Sequence, residues 1–425
     1  MDGNNGTPWD GAGGPSAPGV AAGRGGRLVA AVRERRGDLP LFGLSMAAGM
    51  SSYVFSLLVD RAFGAAVLAH VLRLVSASSA VTLPSALVLL PVAAWATHTA
   101  HIRPRLPWLQ VVALVLGAAS FAAMALPALH VPPAWLPGLG LLAAGSSYLL
   151  YLGSGVLCGR GAFIGYGVVT AMPTVGRVLV LAGVLAAHGT VVEAMWGVGL
   201  AAFAASALAT ILSYRMPEGS GDRPVAGATW ASAFVALSVT AWLSCDIFFG
   251  SVGVGPASAS LFAVIALLGK TPYWLAQPLA TKAIAEQGLG RGGGASMSWE
   301  IFAIGGAGIV GGAVLGPTVL HLMQVPRSGL LSLLLYFAGS TLLCRAYVSA
   351  GSAAQRGQHQ WWPLLAAFAL YVVLAFVQPT TVLGLSARFC LGITAAAGVQ
   401  AWLERRVARA LPSPRRAEAV TAPMS

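Results

Sequence analysis

Apolar residues in this chain run in stretches of about twenty, separated by short polar, Gly- or Pro-containing breaks. A coiled stretch of that length spans a bilayer, since a helix rises about 1.5 Å per residue and the hydrocarbon core is about 30 Å thick. The first six predicted spans are Leu39–Val59, Leu72–Ala96, Trp108–Leu126, Leu136–Leu157, Phe163–Ala186 and Val191–Tyr214. The second six are Trp230–Phe249, Ala259–Ala285, Ile301–Met323, Leu330–Val348, Pro363–Gln378 and Val382–Leu403. The pattern predicts an all-α polytopic membrane protein with about twelve transmembrane helices.

The two sets of six look like copies. Gly43-Leu44-Ser45-Met46 through Ser51-Ser52-Tyr53-Val54-Phe55 aligns without gaps on Ala236-Leu237-Ser238-Val239 through Ser244-Cys245-Asp246-Ile247-Phe248. The next helix of each half carries two prolines, Pro84 and Pro91 in one and Pro272 and Pro278 in the other. Six helices per copy start both halves on the same side, so the repeat is parallel and predicts two pseudo-symmetric six-helix lobes around a central cavity. Proline removes a backbone donor, and the carbonyl it frees needs a partner that lipid does not supply. The predicted organisation is a disordered tail over 1–38, a first lobe over 39–214, a linker over 215–229, a second lobe over 230–403 and a basic tail over 404–425.

Arg and Lys fall in alternate loops. Arg103, Arg105, Arg160, Arg215, Arg223, Lys282, Arg291, Arg345 and Arg356 lie on one side with the basic residues of both tails, whereas the loops at 128–134, 188–190, 251–256 and 379–381 have none. Arg61 and Arg327 are the exceptions. Positive loops stay in the cytoplasm, so both termini are expected inside and the protein in the cytoplasmic (inner) membrane. Composition agrees: 57% hydrophobic and 9% charged residues leave too little polar surface to solubilise 425 residues. The net charge of +12 sits mainly in short loops and tails, where it orients helices and meets anionic lipid; no nucleic-acid partner is expected.

Charged residues within the apolar spans are costly and mark candidate sites. The informative ones are Arg177, Asp246, Lys270 and Arg388, with Arg73 at the start of the second span. Asp246 is otherwise surrounded by apolar residues, and its counterpart in the first half is Tyr53, so the repeat alone does not require an acid there. It reads either as a coupling residue or as half of a structural pair with Lys270, which sits between Gly269 and Thr271-Pro272 where a kink makes room for an ammonium. Arg388, near a helix end, suits snorkelling to the headgroups. Cys158, Cys245, Cys344 and Cys390 lack metal-ligand spacing and read as small apolar thiols. No Walker loop, zinc spacing, Asp-x-Asp pair or Gly-x-Ser-x-Gly elbow occurs, so an enzyme, a metal site and a cofactor are not expected.

Three stretches resemble the multidrug, oligosaccharidyl-lipid and polysaccharide flippase superfamily, particularly its polysaccharide and lipid-linked oligosaccharide members. They are LLVDRAFGAAVLAHVLRLVSA from Leu57, GVLCGRGAFIGYGVV from Gly155, and CDIFFGSVGVGPASASLFAVIALLGK from Cys245 to Lys270. Phe262 departs from a common tyrosine, and Lys282-Ala283-Ile284 stands where Phe-Pro often ends the eighth helix. The resemblance implies a flippase moving a lipid-linked glycan by alternating access, with glycan-assembly proteins as further partners. Arg177, Lys270, Arg73 and Arg388 would bind the anionic substrate, and Asp246 would couple or tune. A proton- or sodium-coupled exporter of drugs or metabolites is the alternative, and a non-transporting scaffold for glycan assembly a third.

Overall fold

The computed structural model describes residues 39–64, 67–68, 71, 85–99, 101–124, 147–217, 228–247, 249, 254, 256–288, 294–322, 326, 328–355, 358–377 and 381–410. Every regular element among them is helical. The first half supplies α1 (Leu39–Phe63), α2 (Ala86–His98), a 3-10 turn (Arg103–Arg105), α3 (Leu106–Met124), α4 (Tyr148–Gly159), α5 (Phe163–Ala186) and α6 (Val191–Tyr214). The second supplies α7 (Ala228–Thr240), α8 (Pro256–Gly269), α9 (Thr271–Gly288), α10 (Gly294–Leu322), α11 (Gly329–Gln355), α12 (Trp362–Val377) and α13 (Val382–Ala410). The tail over 1–38 and most of the 215–229 linker lie outside the described residues.

Local chemistry sets the sharp boundaries. Gly161 takes a positive φ of 73° after α4, and Ala162 N–H closes back on Leu157 O at 2.8 Å, so α5 can start two residues later. Thr190 and Glu193 form a reciprocal capping box at the start of α6. Five described helices are long and apolar enough to cross a membrane, at Leu39–Phe63, Phe163–Ala186, Val191–Tyr214, Gly329–Gln355 and Val382–Arg406. Large apolar side chains such as Leu179, Phe203, Val314 and Phe376 face outward, as in a protein whose solvent is lipid.

α11 is the central column of the second half: 61% of its apolar window is buried, against 17–39% for the other four spans. It packs against α7, α8, α9, α10 and α13. Gly312 on α10 lies so close to α11 that an added Cβ would sit 2.0 Å from the Phe337 ring, and Gly308 on the same face lies against Pro272 of α9. In the first half α4 packs against α2, α3, α5 and α6. Contacts of α2 with α7 and α9, and of α4 with α9, join the halves.

Three helix boundaries differ from the expected spans. The eighth span is not one helix: it breaks at Lys270 into α8 and α9, which is why thirteen α-helices are described where twelve spans were expected. α13 continues through Glu404, Arg405 and Arg406 to Ala410, so the basic tail begins as helix, its charges on the last turns where a helix C-terminus favours cations. The tenth span likewise extends beyond Val348 to Gln355.

Candidate functional site

The site forms where two helices lose regularity side by side. α7 gives way to a π-helical turn over Ala241–Cys245, directly followed by Asp246. In a continuous α-helix the Ile247 N–H would donate to Leu243 O. Here Ile247 N–H donates to Asp246 Oδ1 at 2.7 Å, and Leu243 O accepts the Lys270 ammonium at 2.7 Å. Lys270 also forms an ion pair with Asp246 Oδ1, and the Tyr336 hydroxyl of α11 donates to Oδ2 at 3.1 Å. Asp246 is 0% and Lys270 2% exposed.

Lys270 reaches this position because it is the break residue between α8 and α9. The carbonyls loosened there are taken up by neighbours: Gly269 O accepts from Ser340 at 2.9 Å, and Leu268 O from Thr271 and from Tyr53 of the first half at 3.0 Å. Gly269 admits the approach of α11, since a Cβ there would lie 2.1 Å from Tyr336 Cβ.

The prolines explain the seam between the halves. Pro272 has no N–H to give Leu268 O, and Pro278 has none for Trp274 O. These carbonyls are the ones Tyr53 and Ser45 reach: Ser45 Oγ lies 2.7 Å from Trp274 O and 2.9 Å from Leu275 O. Cys158 points to Thr281 O at 3.9 Å, and Lys282 stacks over the Phe163 ring at 5.5 Å, extending the junction toward the end that carries Arg160. The carbonyls freed in the second half are thus satisfied by side chains of the first.

Aromatic rings close the acid–base pair off from the surroundings. Tyr336 stacks on Phe389 at 4.2 Å, and Trp242, which donates to Leu364 O at 3.0 Å, packs edgewise against Phe368 and Phe389. Instead of lining an open central cavity, the pair is enclosed by side chains. Such a pair is a compensated dipole: an incoming ion or substrate charge engages either member only as the other is released, and losing one partner strands a buried charge at a cost of about 3–5 kcal/mol.

The structure brings together two of the five predicted site residues, Asp246 and Lys270. Arg177 on α5 is half-buried and donates to Pro173 O of its own helix at 3.3 Å. Arg388 does not reach outward: it donates to Leu374 O at 3.0 Å, in the last turn of α12, where a cation meets the negative end of the helix. Arg73 lies outside the described residues. Sequence reasoning missed Tyr336 and Ser340, which lie one helical turn apart on α11; that spacing is the one signal for them. Among the described residues no three His, Cys, Asp or Glu side chains come together as a metal cluster.

No protein-family model matches the chain, and no characterised protein matches it in sequence. Solved structures match it in fold. An outward-facing multidrug resistance MATE family transporter of the MOP superfamily superposes with a TM-score of 0.61 at 14% identity, covering 88% of this chain and 94% of its own. The fold is that of the MATE transporters. A MATE in complex with MaD5 gives 0.62 at 13% identity over 88% and 94%. A MOP superfamily transporter from Pyrococcus furiosus Vc1, described as having a binding pocket of reversed polarity that suggests a different function, gives 0.60 at 14% over 87% and 94%.

Proposed function

We propose that this protein is a flippase that carries a lipid-linked oligosaccharide or polysaccharide precursor across the cytoplasmic membrane by alternating access, its basic loops facing the cytoplasm. The observation that carries the transport reading is the broken α8–α9 helix at the junction of the halves. Irregular backbone at membrane depth is tolerated where it lines a path or is buried in protein, and transporters build their sites from such helices. Asp246 is the coupling residue: releasing Lys270 requires the acid to be compensated by another cation. Lys270 and Arg177 supply positive charge for a lipid pyrophosphate, which is costly to move through hydrocarbon unpaired.

The glycan cargo rests on the sequence resemblance of the Leu57, Gly155 and Cys245 stretches. A leaflet-accessibility assay of a labelled polyprenyl-pyrophosphate glycan in vesicles tests it: the label becomes accessible from the opposite leaflet with the protein present, and no difference from empty vesicles refutes the reading. The second reading, a proton- or sodium-coupled exporter, is favoured by the buried Asp246 and by the fold shared with the multidrug MATE structure. Gradient-dependent efflux of organic cations without glycan flipping would select it.

A further inference from the structure

A second site lies apart from the Asp246–Lys270 pair, at the basic end of the first half. The 3-10 turn after α2 and the C-terminal ends of α4 and α6 line a half-open cavity of about 260 Å³, with His101, Arg103, Arg160, Ser213, Ile102 and Met216 on its walls. Its volume is below the usual range for drug-sized ligands but suits a phosphate and the atoms around it. Two guanidiniums from separate segments converge there, each fixed through a backbone carbonyl: Arg160 donates to Thr99 O at 2.6 Å and Arg103 to Met216 O at 3.3 Å. A guanidinium carries five N–H donors, so the bond to Met216 O orients the Arg103 plane and leaves donors on it for a planar or tetrahedral oxyanion, while Arg160 adds a second positive charge to the same wall. Capping of helix ends alone would explain the two bonds; it does not explain a walled cavity between them, with an imidazole as the third polar wall.

The position in the membrane selects the ligand. α3 starts at Leu106 directly after the turn, and Trp108 in its first turn is 69% exposed, followed by outward-facing Val111, Leu114 and Val115. An exposed tryptophan at the start of a lipid-facing helix marks headgroup depth. The acyl chains of a lipid would lie along that face while its phosphate entered the cavity. We propose that this cavity binds the phosphate of a lipid headgroup, from either a bulk anionic phospholipid or a polyprenyl pyrophosphate. This assignment depends on the membrane fold and not on the glycan reading, so either can fail without the other.

The test measures lipid binding to the full chain in nanodiscs by native mass spectrometry or lipid-dependent thermal shift. The probes are phosphatidylglycerol, phosphatidylcholine, undecaprenyl pyrophosphate and inorganic pyrophosphate. Phosphatidylglycerol or undecaprenyl pyrophosphate should bind at least about tenfold more tightly than phosphatidylcholine, and whichever binds more tightly identifies the source. Arg103→Gln should weaken that binding about fivefold, while Arg105→Gln, which removes the same charge from the same turn but outside the cavity wall, should not. Both arginines also bond a main-chain carbonyl, but the Arg103 bond is the longer, at 3.3 Å against 2.6 Å for Arg160, so Arg103→Gln is the deciding variant. Equal loss in both Arg103→Gln and Arg105→Gln, no anionic preference, or inorganic pyrophosphate binding as tightly as the lipids would overturn the proposal.

Discussion

Tyr53 and Asp246 occupy equivalent positions in the two halves, and both reach the same break in the second half. The Tyr53 hydroxyl donates to Leu268 O, while Asp246 holds Lys270 two residues farther on. The first-half copy thus contributes a neutral donor and the second-half copy an acid, so one helix interruption is held from both sides by residues that the repeat makes counterparts.

The buried pair gives a double-mutant prediction. Asp246→Asn leaves the Lys270 ammonium without its carboxylate, so membrane abundance and detergent-phase stability should fall, by about 3–5 kcal/mol if the lysine stays charged. Adding Lys270→Met should restore abundance but, on the coupling role proposed for Asp246, not export, because the double variant keeps packing and lacks the acid. Quantitative immunoblotting beside a vesicle transport assay separates these outcomes. Full export by the double variant would show that the pair is structural only.

Gly269→Ala should be severe. Its Cβ would come within 2.1 Å of Tyr336 Cβ and 3.3 Å of Tyr336 Cα, atoms that no rotamer change moves, so α8 and α11 must separate. A loss of at least about 1–3 kcal/mol is expected from overpacking. Gly183→Ala on α5, where an added Cβ meets nothing within 4 Å, should be neutral or slightly stabilising. Thermal unfolding of the two purified variants makes the comparison.

Ser45→Ala removes the donor to Trp274 O and should cost about 1–3 kcal/mol as that carbonyl loses its cross-seam partner. Pro278→Ala returns an N–H at the position four residues after Trp274. In that background Ser45→Ala should cost measurably less, and the difference between the two costs, read by thermal unfolding, measures the coupling. Equal costs in both backgrounds would mean that the proline-freed carbonyl is not what Ser45 serves.

Cysteine labelling tests the orientation. In a cysteine-free background, a membrane-impermeant maleimide added outside should label a cysteine at Gly255 but not at Ser220, since the charge alternation predicts a cytoplasmic 215–229 segment. The reverse pattern would invert the topology.

The sequence shows the spans well because lipid imposes one simple length rule: α5 and α6 begin and end at the predicted Phe163–Ala186 and Val191–Tyr214. It shows Asp246 and Lys270 because charge in an apolar run is conspicuous. It does not show the π-turn at Ala241–Cys245, since nothing in AWLSC differs from ordinary helix-forming residues; the partner of the turn's Leu243 carbonyl, Lys270, comes from a distant part of the chain. Nor does it place Arg177 or Arg388, because a long flexible cation can snorkel, cap or line a path, and only neighbouring helices decide which.

The hydrogen bonds that Ser45, Tyr53 and Cys158 send across the seam share one direction: the donors are side chains of the first half and the acceptors are main-chain oxygens of the second. A main-chain acceptor survives almost any substitution at its own residue. Replacing Trp274 or Leu275 therefore leaves the oxygen that Ser45 reaches where it is. The join depends instead on the side chains of Ser45, Tyr53 and Cys158 in α1 and α4 and on Pro272 and Pro278, so a substitution at one of these weakens it, whereas one at an acceptor residue leaves the accepting carbonyl in place.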